Sequence, residues 1–369
     1  MKIYLISGCL AVFHFLLFSF FAETAAQPRS DASVLHKSSL EKGLFDSDEV
    51  LHITLKGDIR EVLKDRLGDP KYYAVLLSYS KEPGTEKNIS VQIKTRGHFR
   101  RLNGNCFYPP LLIQFPKDGP QRSSVFKDQA RLKLVMPCMG DEYLIREWLL
   151  YKIYNLVTPK SFRARLVKIN LQDDRNKKPV APFYGILLEE EKQMAKRNKL
   201  ISVAPKLKPE QVEADAFVSM AIFQYLIGNT DWSVQYLQNI KLLAKDSNAV
   251  PFAVPYDFDH AGMVNAPYAK PAEALEMQSV RKRRFRGYCI QNQKIFEPVI
   301  AQYNRLKKDI YSLYTGFTLL DAKYIKSTTQ YLDEFYATIN NAKACKKEFG
   351  YPCDKNGTGN VVIKGLKQD

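Results

Sequence analysis

The sequence predicts an α+β fold, with a β-rich N-terminal lobe containing one helix and a helical C-terminal lobe. Period-two or continuous apolar runs follow one another between residues 50 and 136. One segment of that half, 141–157, has helical spacing, and beyond Leu200 the apolar period lengthens to about 3.6 residues. A chain of 369 residues that is 45% hydrophobic can bury a substantial core, which excludes a disordered chain and leaves room for one large or two medium-sized domains.

At the N-terminus a single Lys precedes an almost unbroken apolar run to Ala22, followed by small residues around Thr24, Ala25 and Ala26. This pattern predicts a signal peptide over 1–26, cut after Ala26. Left uncut, the run is long enough to span a bilayer, for which ~20 apolar residues suffice. A polar leader, 27–46, follows. Strands are expected at "VLHITL", "YYAVLLSY", "ISVQIKTRG", "PLLIQF" and "ARLKLVM", forming an antiparallel sheet. The helix "DEYLIREWLLYKIYNLV" packs on it, and "RARLVKINLQD" with "PFYGILLEE" makes a hairpin. These elements fill an N-terminal lobe over 47–200. In the C-terminal lobe, 201–345, the first long helix ends at Gly228, where a C-cap glycine is expected. Two short strands and two further helices follow it, and 346–369 is a tail.

An excess of 55 Lys+Arg over 39 Asp+Glu gives a net charge of +16, which favours anionic partners without selecting one. Six cysteines agree with an exported protein, since five remain once Cys9 is removed with the leader. The pairs expected are Cys106–Cys138, beside neighbouring strands, and Cys345–Cys353, flanking the short "KKEFGYP" segment. No C-x-x-C occurs and only five His are spread along the chain, which argues against a zinc site. Together the leader and cysteines predict a secreted, periplasmic or cell-surface protein, associated with a membrane only if the leader is retained. No nucleic-acid partner is expected.

The segments "GNTDWSVQYLQN" (228–239) and "VPYDFDHAG" (254–262) carry the chemistry. A helix ends, Asp231 sits in the turn, Asn239 opens a strand, and a second strand delivers Asp257 and Asp259. Acids and an amide thus converge at strand ends. Phosphoryl transfer calls for such groups: one carboxylate orients the acceptor hydroxyl, while an Asn and an Asp hold Mg²⁺ against nucleotide phosphates. Taken singly, each Asp also reads as an ordinary turn or cap residue.

On "TRGHFR" (95–100), "RLKLV" (131–135), "FYGILLEE" (183–190) and the two segments above, the chain resembles the CotH kinase family, secreted proteins with an atypical kinase-like fold, over roughly residues 48–340. The resemblance implies a two-lobed kinase-like fold with ATP and Mg²⁺ or Mn²⁺ in the cleft. It implies that Asp231 is the catalytic acid, Asp257 the principal metal ligand, and Asn239 and Asp259 further ligands. Lys133, inside a strand, is the expected phosphate-binding lysine, paired with Glu147 on the following helix. Arg96, Arg100 and Arg101 stand where a phosphate loop is missing, since the chain has no G-x-G-x-x-G. Glu189 and Glu190 end a strand at the expected inter-lobe connection, where the base would dock. Asp-Phe-Gly is replaced by Asp-Phe-Asp, and Asn239 lies eight residues after Asp231, so Gln235 or Gln238 is an alternative metal-side residue. The basic segment "SVRKRRFRGY" offers Arg281 and Arg286 as phosphate contacts or as a solvated face.

The expectation is an exported ATP-dependent kinase acting on a hydroxyl, most simply Ser or Thr of a secreted or surface protein. The alternatives are an inactive kinase-fold binding or adhesion protein, and a metal-dependent phosphoesterase built on Asp231, Asp257 and Asp259.

Overall fold

The computed structural model describes residues 42–80, 85–175 and 180–350. The expected signal peptide, Cys353 and most of the expected tail lie outside these residues. In chain order the elements are β1 (Leu51–Gly57), α1 (Ile59–Lys64), β2 (Tyr73–Ser80), β3 (Lys87–Thr95), β4 (Leu111–Gln114), β5 (Arg131–Val135), α2 (Asp141–Val157), β6 (Ala164–Asp173) and β7 (Phe183–Leu188). Then come α3 (Glu191–Arg197), β8 (Ile201–Val203), α4 (Ala214–Ile227), β9 (Ile240–Ala244), β10 (Phe252–Pro255), α5 (Phe296–Ser312), α6 (Ala322–Ile339) and α7 (Ala342–Phe349). The mixture of a strand-rich first half and a helical second half is as expected.

The sheet differs from the expectation. Its strands close into a barrel in the order β1-β2-β3-β4-β5-β7-β6, and the closing pair, β1 with β6, is parallel, with Leu51 opposite Val167. An open seven-stranded sheet would leave two rows of unpaired backbone groups at its edges; joining β1 to β6 satisfies both. Side chains at alternate positions, among them Ile53, Leu55, Leu77, Ile93, Ile113 and Leu134, fill the barrel interior. The same alternation sends Lys133 and Val135 outward from β5.

A second core lies outside the barrel. Leu149 and Ile153 of α2, Phe217 and Phe223 of α4, Tyr303 of α5 and Phe335 of α6 belong to it, together with Leu166 and Ile186 on the outer face of β6 and β7. Helix α2 is therefore buried on nearly every side, between barrel and later helices. A clean division into two lobes is not seen, because the helix assigned to the first half is a structural member of the second.

A small sheet, β10-β9-β8, positions the chemical segments. Strands β9 and β10 form an antiparallel hairpin in which Leu242 faces Ala253. One step outside it, Tyr256 N–H donates to the Asn239 carbonyl at 3.0 Å, so this register sets Asn239 beside Asp257. Helix α4 ends at Gly228 in the left-handed region, φ 67°, as the C-cap reading required. Gly262 N–H then donates to Gly228 O, and Met263 N–H to Ile227 O, both at 3.0 Å. The turn holding Asp231 and the turn following Asp257 are thereby sewn together by backbone.

Cys106 and Cys138 form the expected disulfide. The second expected pair is not formed: Cys345 is a free thiol. Its segment is helix α7, not a loop, and the helix turns Cys345 toward the core. Cys289 is disulfide-bonded. Among the described residues no helix is long and apolar enough to cross a membrane.

The close approach at Gly262 makes a test. A Cβ there would lie 2.3 Å from the Val280 carbonyl oxygen, a backbone atom that cannot swing aside. Gly262→Ala is expected to cost about 1–3 kcal/mol, the range for overpacking a tight interior, read as a lower denaturant midpoint at unchanged m-value. An unaltered midpoint would contradict the backbone approach described here.

Candidate functional site

Asp231 is held by a braced turn. Beyond Gly228 the Asn229 side chain donates to Gln224 Oε1 at 3.0 Å, and its own Oδ1 accepts Asp231 N–H at 3.0 Å. That Asx-type turn fixes the local backbone. The Trp232 indole N–H donates to the Asn229 carbonyl at 3.2 Å, and the buried Arg286 guanidinium donates to the carbonyls of Thr230 and Trp232. Arg281 donates to the Gly262 carbonyl and Arg283 to that of Leu226. Arg281, Arg283 and Arg286 of the basic segment are thus spent on backbone carbonyls, while Lys282 between them is exposed. These arginines satisfy carbonyls at helix and turn ends, the groups such ends leave without partners.

The Asp231 carboxylate accepts from Gln238 Nε2 and from Asn239 Nδ2. Asn239 Nδ2 also donates to the Asp231 carbonyl at 2.8 Å. Burial raises the Asp231 pKa, with His260 opposing the shift. Asp257 follows β10 with φ 61°, a conformation costly for a non-Gly residue. Its N–H is held by Tyr151 Oη at 2.9 Å, and its carboxylate is 44% exposed, facing a cleft.

That cleft, about 760 Å³, is lined by Arg96, Arg100, Lys133, Tyr151, Asp231, Gln238, Asn239, Tyr256, Asp257, Asp259 and His260, among others. The structure thus brings Asp231, Asn239, Asp257, Asp259, Lys133 and Arg96 to one place. Lys133 reaches it from the outer face of β5, over the rings of Tyr256 and Phe162 at 5.0 and 5.8 Å. Among the described residues neither Lys133 nor Arg96 forms an ion pair. Burial, then the nearby Arg96 charge, lowers the Lys133 pKa to about 8.

The expected Lys133–Glu147 pair is not formed. Glu147 is buried and binds Arg100, with Arg100 Nη2 at 3.0 Å from Glu147 Oε2. The same nitrogen lies 2.7 Å from Asp259 and 3.8 Å from Asp257, and Arg100 Nε donates to Asp259 Oδ2 at 2.9 Å. The reason is reach: Arg100, on the loop after β3, enters between α2 and the Asp257 segment, while Lys133 faces the cleft from the barrel wall. Asp259, expected to be a metal ligand, is an ion-pair partner. Although burial would raise its pKa, Arg100 holds it below the usual range. Burial raises the Glu147 pKa against the opposing pull of Arg100, and burial with the neighbouring Asp259 lifts Asp257 to about 6. Glu189 does not line the cleft; it is fully buried and held by Arg163 and Arg197 at 3.3 and 2.9 Å.

Whether a metal and nucleotide fit is decided by the donor set. Among the described residues there is no cluster of three or more His, Cys, Asp and Glu arranged for a metal. Mg²⁺, however, takes only one or two protein carboxylates and completes its shell with water and phosphate. The Asp257 carboxylate is half-exposed, both bonds made by the Asn239 amide leave through Nδ2, and the neighbouring Gln238 Oε1 is buried without a partner. Asp257 and Asn239 therefore fit one divalent ion, with Lys133 and Arg96 as unpaired cations for phosphate. Tyr151, His260 and Gln238 complete the site. Their sequence signals were present in a Tyr one turn beyond Glu147, a His beside Asp259 and the Gln already noted.

Binding of metal and phosphate should show two limbs against pH. Asp257 must be ionised to take a metal, so affinity rises as pH climbs through about 6. Lys133 must be protonated to attract phosphate, so affinity falls as pH climbs through about 8. Calorimetric titration with Mn²⁺ and a non-hydrolysable ATP analogue is expected to give a maximum between them. A profile flat on the alkaline side would remove Lys133 from phosphate binding.

No protein-family model matches this chain, and none of the curated proteins matches it. Among solved structures the chain is similar to a crystal structure of the Helicobacter pylori proinflammatory kinase CtkA, at 11% identity over 69% of this chain and 97% of that one, with a TM-score of 0.39. A likeness that loose carries no argument, and the reading of the cleft rests on its own geometry.

Proposed function

We propose that the protein is an atypical kinase, of the CotH-like kind, that transfers the γ-phosphate of ATP to a hydroxyl group. The observation that carries this reading is the meeting of Asp231, Asn239 and Asp257 with two unpaired cations, Lys133 and Arg96, in one cleft. In this reading Asp257 and Asn239 Oδ1 hold a divalent metal, which when bound neutralises phosphate charge. Lys133 and Arg96 bind phosphate oxygens by charge-assisted hydrogen bonds. Asp231 orients the acceptor hydroxyl and takes its proton, with Gln238 and Asn239 fixing the carboxylate. A Ser or Thr of an exported protein is the proposed acceptor. The apolar leader and the Cys106–Cys138 bridge support a place outside the cytoplasm, where disulfides persist.

One observation favours a second reading, nucleotide binding without turnover: Glu147 is held by Arg100 instead of by Lys133. The two readings separate in a pair of variants. Asp257→Ala is expected to abolish metal-dependent nucleotide binding, because it removes the principal metal ligand. Asp231→Asn keeps the shape and is expected to bind nucleotide as the parent does while losing about 10²-fold or more in phosphoryl transfer, the scale of general-base catalysis. Titration with a labelled ATP analogue measures the binding, and transfer of label from ATP to candidate secreted acceptors measures the reaction. Nucleotide binding with no transfer by the parent protein to any acceptor would establish the second reading, and transfer by Asp231→Asn at the parent rate would remove Asp231 from catalysis.

A further inference from the structure

Three carboxylates converge below the cleft floor, and a guanidinium already occupies the space between them. Arg100 Nη2 is 2.7 Å from Asp259, 3.0 Å from Glu147 and 3.8 Å from Asp257. Two of its nitrogens converge on one oxygen, Asp259 Oδ2. The Arg100 side chain is 10% exposed and those of Glu147 and Asp259 are 2% and 7%, so this is a buried ionic cluster and not a surface contact. Its loop is pinned from several sides. Phe99 packs against the rings of His260 and Tyr268 at 6.2 and 6.5 Å, Asn105 Nδ2 donates to the Phe99 carbonyl at 2.8 Å, and the Cys106–Cys138 bridge closes the loop's far end.

Phosphoryl transfer between two metal ions needs carboxylate oxygens free to reach both, at about 2 Å from each ion. Here Asp259 Oδ2 is taken by two guanidinium nitrogens and Glu147 Oε2 by a third contact, and the remaining Glu147 oxygen, Oε1, is buried on a side chain only 2% exposed, so a second ion beside Asp257 would meet Arg100 at short range. Two cations held that close repel strongly where the dielectric is low. Asp257 and Asn239 remain, a donor pair sufficient for one octahedral ion whose other ligands are phosphate and water.

We infer that Arg100 is a resident cation standing in for a second metal, so that the cleft binds its nucleotide with a single divalent ion. The inference rests on the nucleotide reading of the cleft and specifies its metal requirement. Arg100 acts as a positioning residue: its Nη2 lies 3.8 Å from Asp257 Oδ1, and it supplies positive charge that does not depend on the metal concentration.

The test counts metal directly. Free Mn²⁺ is followed by electron paramagnetic resonance while the full-length protein, saturated with a non-hydrolysable ATP analogue, is titrated with Mn²⁺. One ion bound per nucleotide is the expected result for the parent protein, and two would overturn the inference while leaving the nucleotide reading intact. Absence of any Mn²⁺-dependent nucleotide binding would overturn both. Arg100→Gln removes the charge but keeps hydrogen-bonding groups, and in a folded variant the count is expected to rise to two as Glu147, Asp257 and Asp259 gain a vacancy between them. A folded variant that still binds one ion would show that Arg100 is not what excludes the second. Should circular dichroism show the variant unfolded, the parent stoichiometry decides alone.

Discussion

The buried guanidinium of Arg100 holds together three parts of the molecule that share no secondary structure: the loop after β3, helix α2 through Glu147, and the segment after β10 through Asp257 and Asp259. Removing one partner from such a cluster leaves uncompensated buried charge, typically worth 3–5 kcal/mol in lost stability by order of magnitude, about what a marginally stable domain can lose. The cleft exists because this cluster closes its floor. Tyr151, one turn along α2 from Glu147, adds a hydrogen bond to the Asp257 backbone, so the same helix face sets both the charge and the backbone geometry of that residue.

Around that floor the remaining groups are placed by backbone, which is why they are placed accurately. The β9–β10 register puts Asn239 across from Tyr256, and the hydrogen bonds between residues 227–228 and 262–263 fix the Asp231 turn against the Asp257 turn. Arginines of the 281–286 segment cap the carbonyls that these turns expose. Lys133 needs none of this support, since the pleat of β5 alone points it out of the barrel toward the cleft. Charge is unevenly shared as a result: Asp259 and Glu147 are bound closely to Arg100 and Asp257 only at 3.8 Å, while Lys133 and Arg96 line the cleft without an ion pair among the described residues.

How much of this was legible in the sequence depended on range. Local periodicities located β1 to β7, helices α2, α4, α5 and α6 and the C-cap at Gly228, because alternation and helical spacing are properties of neighbours. The order Asp231, Asn239, Asp257 was legible for the same reason: a turn and a hairpin bring residues close in sequence close in space. Barrel closure was not, since the parallel β1–β6 pairing joins strands more than a hundred residues apart. Nor was the partner of Glu147, because Lys133 lies nearer in sequence but Arg100 arrives from a loop that only the folded barrel aims inward. The arginine run at 281–286 reads as solvated charge in one dimension, and only tertiary contact shows its guanidinium groups spent on backbone carbonyls. Helix α7 was not legible because its eight residues, rich in Lys, carry little apolar signal.

The proposed kinase would take a nucleotide and a metal between β5 and the Asp231 and Asp257 turns. A crystal structure with Mn²⁺ and a non-hydrolysable ATP analogue, with the metal located by anomalous scattering, tests it most directly. The expected result is a metal peak about 2 Å from the Asp257 carboxylate, the phosphates against Lys133 and Arg96, and Asp231 facing the terminal phosphate. A nucleotide bound elsewhere, or a metal held by other residues with Asp257 unligated, would contradict it.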